Sequence, residues 1–195
     1  MKSDATATEM SFWDHLEELR GVLWRALIVV LVPMVVLFCF KDFIFDRVIL
    51  APLGKDFALY SFLNGVLALF GLGPVDVGDI SLIHVDLAAQ FFTHVKVSFN
   101  LALVIAAPVI FYLLWTFVRP ALYPKEREAA RGGFGFAGLL FYAGVLTGYF
   151  VVFTLTLHFL GSYQVSASVP NLISLNSYIG MMVSLILVMG LVFEM

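Results

Sequence analysis

Asp14-His15-Leu16-Glu17-Glu18-Leu19-Arg20 runs directly into GVLWRALIVVLVPMVVLFCF, residues Gly21–Phe40, and this junction decides the fold. Apart from Arg25 and Pro33 the second part is apolar throughout. Twenty helical residues at about 1.5 Å each reach roughly 30 Å, the thickness of a bilayer's hydrocarbon core. Arg25 lies one turn in and can snorkel to the headgroups, and Pro33 near the middle is expected to kink the helix. The first part is an amphipathic turn or two. At about 100° per residue Phe12, Leu16, Leu19 and Leu23 share one face, Asp14, Glu17 and Glu18 lie opposite, and Arg20 sits on the flank. Ser11 with Asp14 three residues on reads as a helix N-cap and its partner. Three acids stand where a cleavable leader or a basic anchor would carry bases. On charge pattern alone this is a solvated helix end. Held at a membrane surface, it is also a receiver for a cationic ligand.

The rest of the 195 residues agrees with a membrane class. The chain is 62% hydrophobic and 13% charged, with a mean hydropathy of +0.99, against about 25% charge in soluble domains. The lone Cys39 excludes an internal disulfide framework and a cysteine metal site. No repeat is visible. From Gly132 to Phe193 there is no Lys, Arg, Asp or Glu, and then comes Glu194.

Taken in order, the expected fold is an all-α polytopic bundle. Residues 1–20 form the polar N-terminal segment and 21–40 the first span. Residues 41–95 are a long extramembrane stretch punctuated by Pro52, Gly54, Gly71, Gly73, Pro74 and Gly78. Within it Phe62–Leu72 is apolar but too short to span, so an interfacial or packed helical hairpin is expected there. A second span covers 97–118, with Pro108 near its middle and the interfacial aromatics Tyr112, Trp115 and Phe117 at its end. Residues 119–131 are a charged loop, 133–160 a third span, 161–177 an uncharged loop, and 178–195 a fourth span that reads as truncated. Gly144-x-x-x-Gly148 favours close helix packing inside the chain over dimerisation. Arg119, Lys125, Arg127 and Arg131 crowd the 119–131 loop, and the loop at 161–177 has no base. The positive-inside rule then puts the N-terminus and the 119–131 loop on the cytoplasmic face. Glu17, Glu18, Arg20 and Glu126 thereby share one face.

Two carboxylates, Glu18 and Glu126, are a natural receiver for two guanidinium groups. Such pairs are bidentate and charge-assisted, a geometry lysine does not reproduce. Against this stands the plain reading of 123–128 as a neutralised surface loop. Glu194 is a costly acid in an apolar helix and so a functional candidate. His15, His84, His94 and His158 lack metal-ligand spacing. Ser184 has no Gly-x-Ser-x-Gly context, and His158 lies at the wrong end to serve it as a base. No metal, cofactor or enzymatic constellation is expected.

These residues together resemble TatC, the multi-spanning receptor family of the twin-arginine protein translocase. The resemblance rests on His15-Leu16-Glu17-Glu18-Leu19-Arg20, Ala51-Pro52-Leu53, Phe91-Phe92-Thr93 with Lys96, and Ala107-Pro108-Val109-Ile110. It continues through Trp115, Phe117, Pro120-Ala121-Leu122-Tyr123, Glu126-Arg127, Tyr149-Phe150-Val151-Val152-Phe153 and Phe193-Glu194. It covers residues 11–195. Two departures stand out. Val22 follows Gly21 where the family often has a second base, which leaves Arg25 as the nearest substitute, and the stretch around 57–83 is longer. The resemblance implies six spans, of which four are present, so the chain is expected to be an N-terminal portion. It implies that Glu18, Arg20 and Glu126 bind the twin-arginine signal peptide of folded precursors. It implies that Glu194 meets TatA-like or TatB-like single-span subunits, that Pro52, Phe117 and Tyr123 are structural positions, and that the proton motive force drives export across a bacterial inner membrane. Lipid and a second copy of the chain are the other partners implied, and nucleic acid is not. The alternative is a proton-coupled small-molecule transporter with Glu194 titrating, a class that usually shows inverted repeats.

Overall fold

The computed structural model describes residues 12–54, 57–69, 82–83, 88–163 and 172–195. Among these, four helical stretches are long and apolar enough to cross a membrane: Leu16–Cys39, Ala89–Ala121, Gly132–Ser162 and Leu175–Val192. The polytopic helical architecture expected from hydropathy is therefore present.

Helix α1 (Phe12–Cys39) runs through Pro33 without a break and packs along α4 (Ala89–Val118). Leu23, Trp24, Ile28, Val32 and Val35 on α1 stay exposed, which in a spanning helix is the surface given to lipid. The third span is composite. Helix α5 (Pro124–Thr147) passes through a π-helical turn, Gly148–Phe153, into α6 (Thr154–Ser162). The Thr154 hydroxyl donates to the Tyr149 carbonyl at 3.1 Å inside that turn. Helix α7 (Leu175–Val192) starts at Ser174, whose side chain accepts the Ser177 N–H at 3.2 Å. It lies antiparallel to α5 and against the π turn.

The seam between α5 and α7 is made by glycine. A Cβ on Gly144 would meet the Met189 carbonyl oxygen and would stand 2.9 Å from the Gly190 Cα. One on Gly148 would lie 3.0 Å from the Ile186 Cα. The Gly144-x-x-x-Gly148 pair thus lets two backbones touch within one chain, the intramolecular reading of that motif.

One end of the bundle is closed by the chain leaving α1. It forms α2 (Lys41–Ile44), a π turn (Phe45–Ile49) and a 3-10 turn (Ala51–Leu53). Pro52, buried, has no N–H to offer the carbonyl of Val48 four residues back or that of Ile49 three back. Two distant hydroxyls take its place: Tyr149 donates to Val48 O at 2.6 Å and Tyr178 to Ile49 O at 2.7 Å. Tyr60 of α3 (Ala58–Leu69) donates to the Pro52 carbonyl at 3.2 Å, and burial raises its phenol above the ordinary value. Ile44, Ile49, Val97, Phe153, Leu157 and Tyr178 form the buried core beneath. A two-residue parallel pair joins β1 (Leu82–Ile83) to β2 (Ile173–Ser174) across this capped end.

Several boundaries differ from expectation. Helix α3 is a single helix over the described part of the apolar stretch, not a hairpin, and residues 70–72 lie outside the described residues, as does Ser11. Helix α4 starts at Ala89, inside the expected 41–95 connection. The 119–131 segment is a 3-10 turn (Arg119–Ala121) followed by the opening turns of α5. Pro124 at the first helical position is suited to that start. The fourth helix runs Leu175–Val192, so Glu194 lies in the turn after it, with its N–H on the Leu191 carbonyl at 3.1 Å.

Candidate functional site

At the end opposite the cap, α1 begins, α4 ends and α5 begins. The first turns of α1 place Glu18, Val22 and Arg25 on one stripe, four and then three residues apart. Val22 is buried, and Glu17, Glu18, Gly21 and Arg25 open with Leu113 and Thr116 of α4 onto a cavity of about 370 Å³. Glu18 is half-buried with its Oε2 out of contact with solvent. The Thr116 hydroxyl is turned back on the Tyr112 carbonyl at 3.0 Å, so the charged part of the wall is supplied by α1.

Arg20 does not join them. It lines a separate groove of about 360 Å³ with Leu16, Leu19, Leu23 and Trp24. Arg25, about one and a half turns further along α1, is the base that shares the cavity with Glu17 and Glu18. The pattern of the sequence held this signal, since 18, 22 and 25 fall on one helical face.

Glu126 sits at the third position of α5, and its Oε2 accepts the Tyr123 N–H at 3.2 Å. One carboxylate oxygen thereby satisfies a backbone donor left over at the helix start, and the negative charge stands at the positive end of the helix dipole. The side chain is exposed, as is Tyr123. Arg127 reaches back, with an Nη2 hydrogen bond to the Arg119 carbonyl at 3.1 Å. Trp115 packs on Phe134 with ring centroids 5.0 Å apart, which ties the end of α4 to α5. Phe117, half-buried, lies in the last turn of α4. Pro52 belongs to the cap at the far end.

Glu194 stands apart from both acids. Gly190 touches Phe141, where an added Cβ would approach Cε2 to 2.8 Å. The Glu194 Oε1 is buried and, among the described residues, meets no hydrogen-bond partner. Among the described residues no group of His, Cys, Asp and Glu side chains is arranged to hold a metal ion.

Comparison with known proteins gives a consistent answer. Residues 14–195 match the family model described as Sec-independent protein translocase protein (TatC). The chain is 30% identical over 189 residues to the TatC protein of Blattabacterium sp. subsp. Periplaneta americana (strain BPLAN), covering 95% of this chain and 71% of that one. It is 33% identical over 185 residues to that of Escherichia coli (strain K12), covering 92% of this chain and 62% of that one. A crystal structure of the twin arginine translocase receptor TatC superposes with a TM-score of 0.70 at 29% identity, over 93% of this chain and 72% of that chain. The chain thus spans roughly three-fifths to seven-tenths of the length of these relatives.

Proposed function

This chain belongs to the TatC family of Sec-independent protein translocase proteins, and on that premise we propose that its carboxylate end receives the paired arginines of a signal peptide. The observation that carries the reading is the cavity that Glu17 and Glu18 both line beside α4, at the end of the bundle where α5 presents Glu126. A guanidinium offers five N–H donors in a rigid fork, and two of them match one carboxylate. Glu18, partly withdrawn from water, gives the stronger pair, because screening is weaker there. Glu126 keeps one oxygen for a second arginine while the other holds the Tyr123 N–H. Arg25 limits the net negative charge of the cavity and so sets how many cations enter. Arg20, in its own groove, orients the peptide's apolar segment along Leu16, Leu23 and Trp24.

In the same reading the carboxylate end is cytoplasmic, the membrane is a bacterial inner membrane, and single-span TatA-like and TatB-like subunits dock within it. The buried, unpartnered Oε1 of Glu194 is the polar atom available to such a helix. Glu194→Gln is expected to leave the thermal unfolding of the bundle unchanged and to lower export of a twin-arginine reporter. Unaltered export in that variant would remove Glu194 from the pathway.

The direct test is fluorescence-anisotropy binding of a labelled twin-arginine peptide to the purified protein, beside a twin-lysine peptide. Lysine is expected to bind about tenfold more weakly, the size of one lost charge-assisted fork. Glu18→Gln and Glu126→Gln are each expected to weaken the arginine peptide, Glu18→Gln the more, and to narrow the difference between peptides. Glutamine is the informative choice at 126, since its amide oxygen still caps Tyr123 whereas alanine would also loosen the helix start. Equal binding of both peptides to the wild-type protein would refute the assignment.

A further inference from the structure

At the capped end a cavity of about 580 Å³ opens between the chain leaving α1 and the first two turns of α4. Its walls carry both signs of charge. Lys41 and Asp42 come from α2, Asp46 from the π turn, and His94 from α4, above a floor that includes Phe45 and Phe91. Lys41, Asp42 and Asp46 are exposed, and among the described residues no ion pair joins them. His94 is held by rings, stacked on Phe38 at 4.1 Å and edge-on to Phe45 at 5.7 Å. Its Nε2 is buried and, among the described residues, meets no hydrogen-bond partner.

The position of this cavity says what reaches it. The α1 span ends at Cys39 and the α7 span begins at Leu175, itself part of the cavity wall. The site therefore lies in the plane where the spans end and the headgroup layer begins. Phe91 of the floor is 59% exposed, and Phe40, Phe43 and Phe92, sequence neighbours of the lining residues, are each 61% to 66% exposed. Exposed phenyl rings at the level where the spans end suit acyl chains better than water.

We propose that this cavity holds the headgroup of a zwitterionic phospholipid with a primary amine, of the ethanolamine type. The ligand's ammonium has three N–H donors for the two carboxylates of Asp42 and Asp46, and its phosphate accepts from the Lys41 ammonium. The first methylenes of its chains lie on Phe91. A choline headgroup has no N–H to give the carboxylates. An anionic glycerol headgroup sets its net charge against two acids with only Lys41 in return.

Native mass spectrometry of the chain in nonionic detergent tests this, with lipids of identical acyl chains in competition. The probes are phosphatidylethanolamine, its mono- and dimethyl derivatives, phosphatidylcholine and phosphatidylglycerol. The ethanolamine lipid is expected to be retained about fivefold over the choline lipid, the scale of one exposed charge pair. Retention is expected to fall with each added methyl. In an Asp42→Asn/Asp46→Asn protein the series should become flat, and in Glu128→Gln, at the other end of the bundle, it should persist. Equal retention across the methyl series in the wild-type protein overturns the proposal, as does a preference for phosphatidylglycerol. A preference that survives in the doubly substituted protein overturns it too. The wild-type series decides the matter alone should that variant fail to fold.

Discussion

Gly144→Val is expected to lower both the recovery of folded, monodisperse bundle and its unfolding temperature severely. The added Cβ would collide with the Met189 carbonyl oxygen and crowd the Gly190 Cα at 2.9 Å. Both obstacles are backbone, so no rotamer change relieves them and α7 must move off α5. Overpacking in a tight core costs about 1–3 kcal/mol and more when backbones must separate, out of a total stability of about 5–15 kcal/mol. Valine adds two methyls beyond that Cβ. Contrast comes from two other glycines. At Gly190 the nearest atom is the Phe141 ring, 2.8 Å away, which can swing, so Gly190→Ala is expected to melt between wild type and Gly144→Val. At Gly21 nothing lies within 4 Å, and alanine there is expected to gain a fraction of about 1 kcal/mol through helix propensity. Thermal unfolding in detergent, followed by near-UV circular dichroism, ranks the three. A Gly144→Val protein that melts with the wild type would mean that α5 and α7 do not meet along this seam.

The second large effect is expected from removing two oxygen atoms. Tyr149→Phe/Tyr178→Phe keeps both rings, including the edge contact of Tyr178 with Phe153 at 5.3 Å. It deletes the hydroxyls that serve Val48 O and Ile49 O. Leaving a buried carbonyl unmet costs about 1–3 kcal/mol, so the double variant is expected to lose several kcal/mol. The loss should be local, and residues 45–57 should exchange amide hydrogens faster while α4 stays protected. Adding Pro52→Ala to the variant supplies the missing N–H and is expected to recover part of the protection. If Pro52→Ala deepened the loss instead, the proline would be holding the turn by its ring and not by its missing donor.

Much of the fold was legible in the sequence because a bilayer imposes a length. The four apolar runs had to be helices of about that length, and the glycine spacing of Gly144 and Gly148 had only close packing to explain it. The ends were less legible. Periodicity ran out at the charged residues 124–131, although Pro124 and Glu126 together are a helix-start signature that was there to be read. The candidate site was half legible. Glu18 and Glu126 were singled out from charge and expected side of the membrane, and the fold brings both to one end of the bundle. The spacing of 18, 22 and 25 puts Arg25 on the face of Glu18, but that this face, and not the one carrying Arg20, meets α4 is set by where α4 lies. The cap was not legible at all, since the carbonyls stranded by Pro52 are answered by tyrosines 101 and 129 residues later in the chain.

Those two separations also set a clock. A ribosome adding about 5–20 residues each second makes Tyr178 roughly 6–26 s after Ile49. The strand pairing of Leu82 with Ile173 waits almost as long. Until Tyr149 and then Tyr178 are made, the Val48 and Ile49 carbonyls lack the hydroxyls that close the cap, and two further spans are laid down in that time. The fourth span is therefore the one that shuts the end formed by the first.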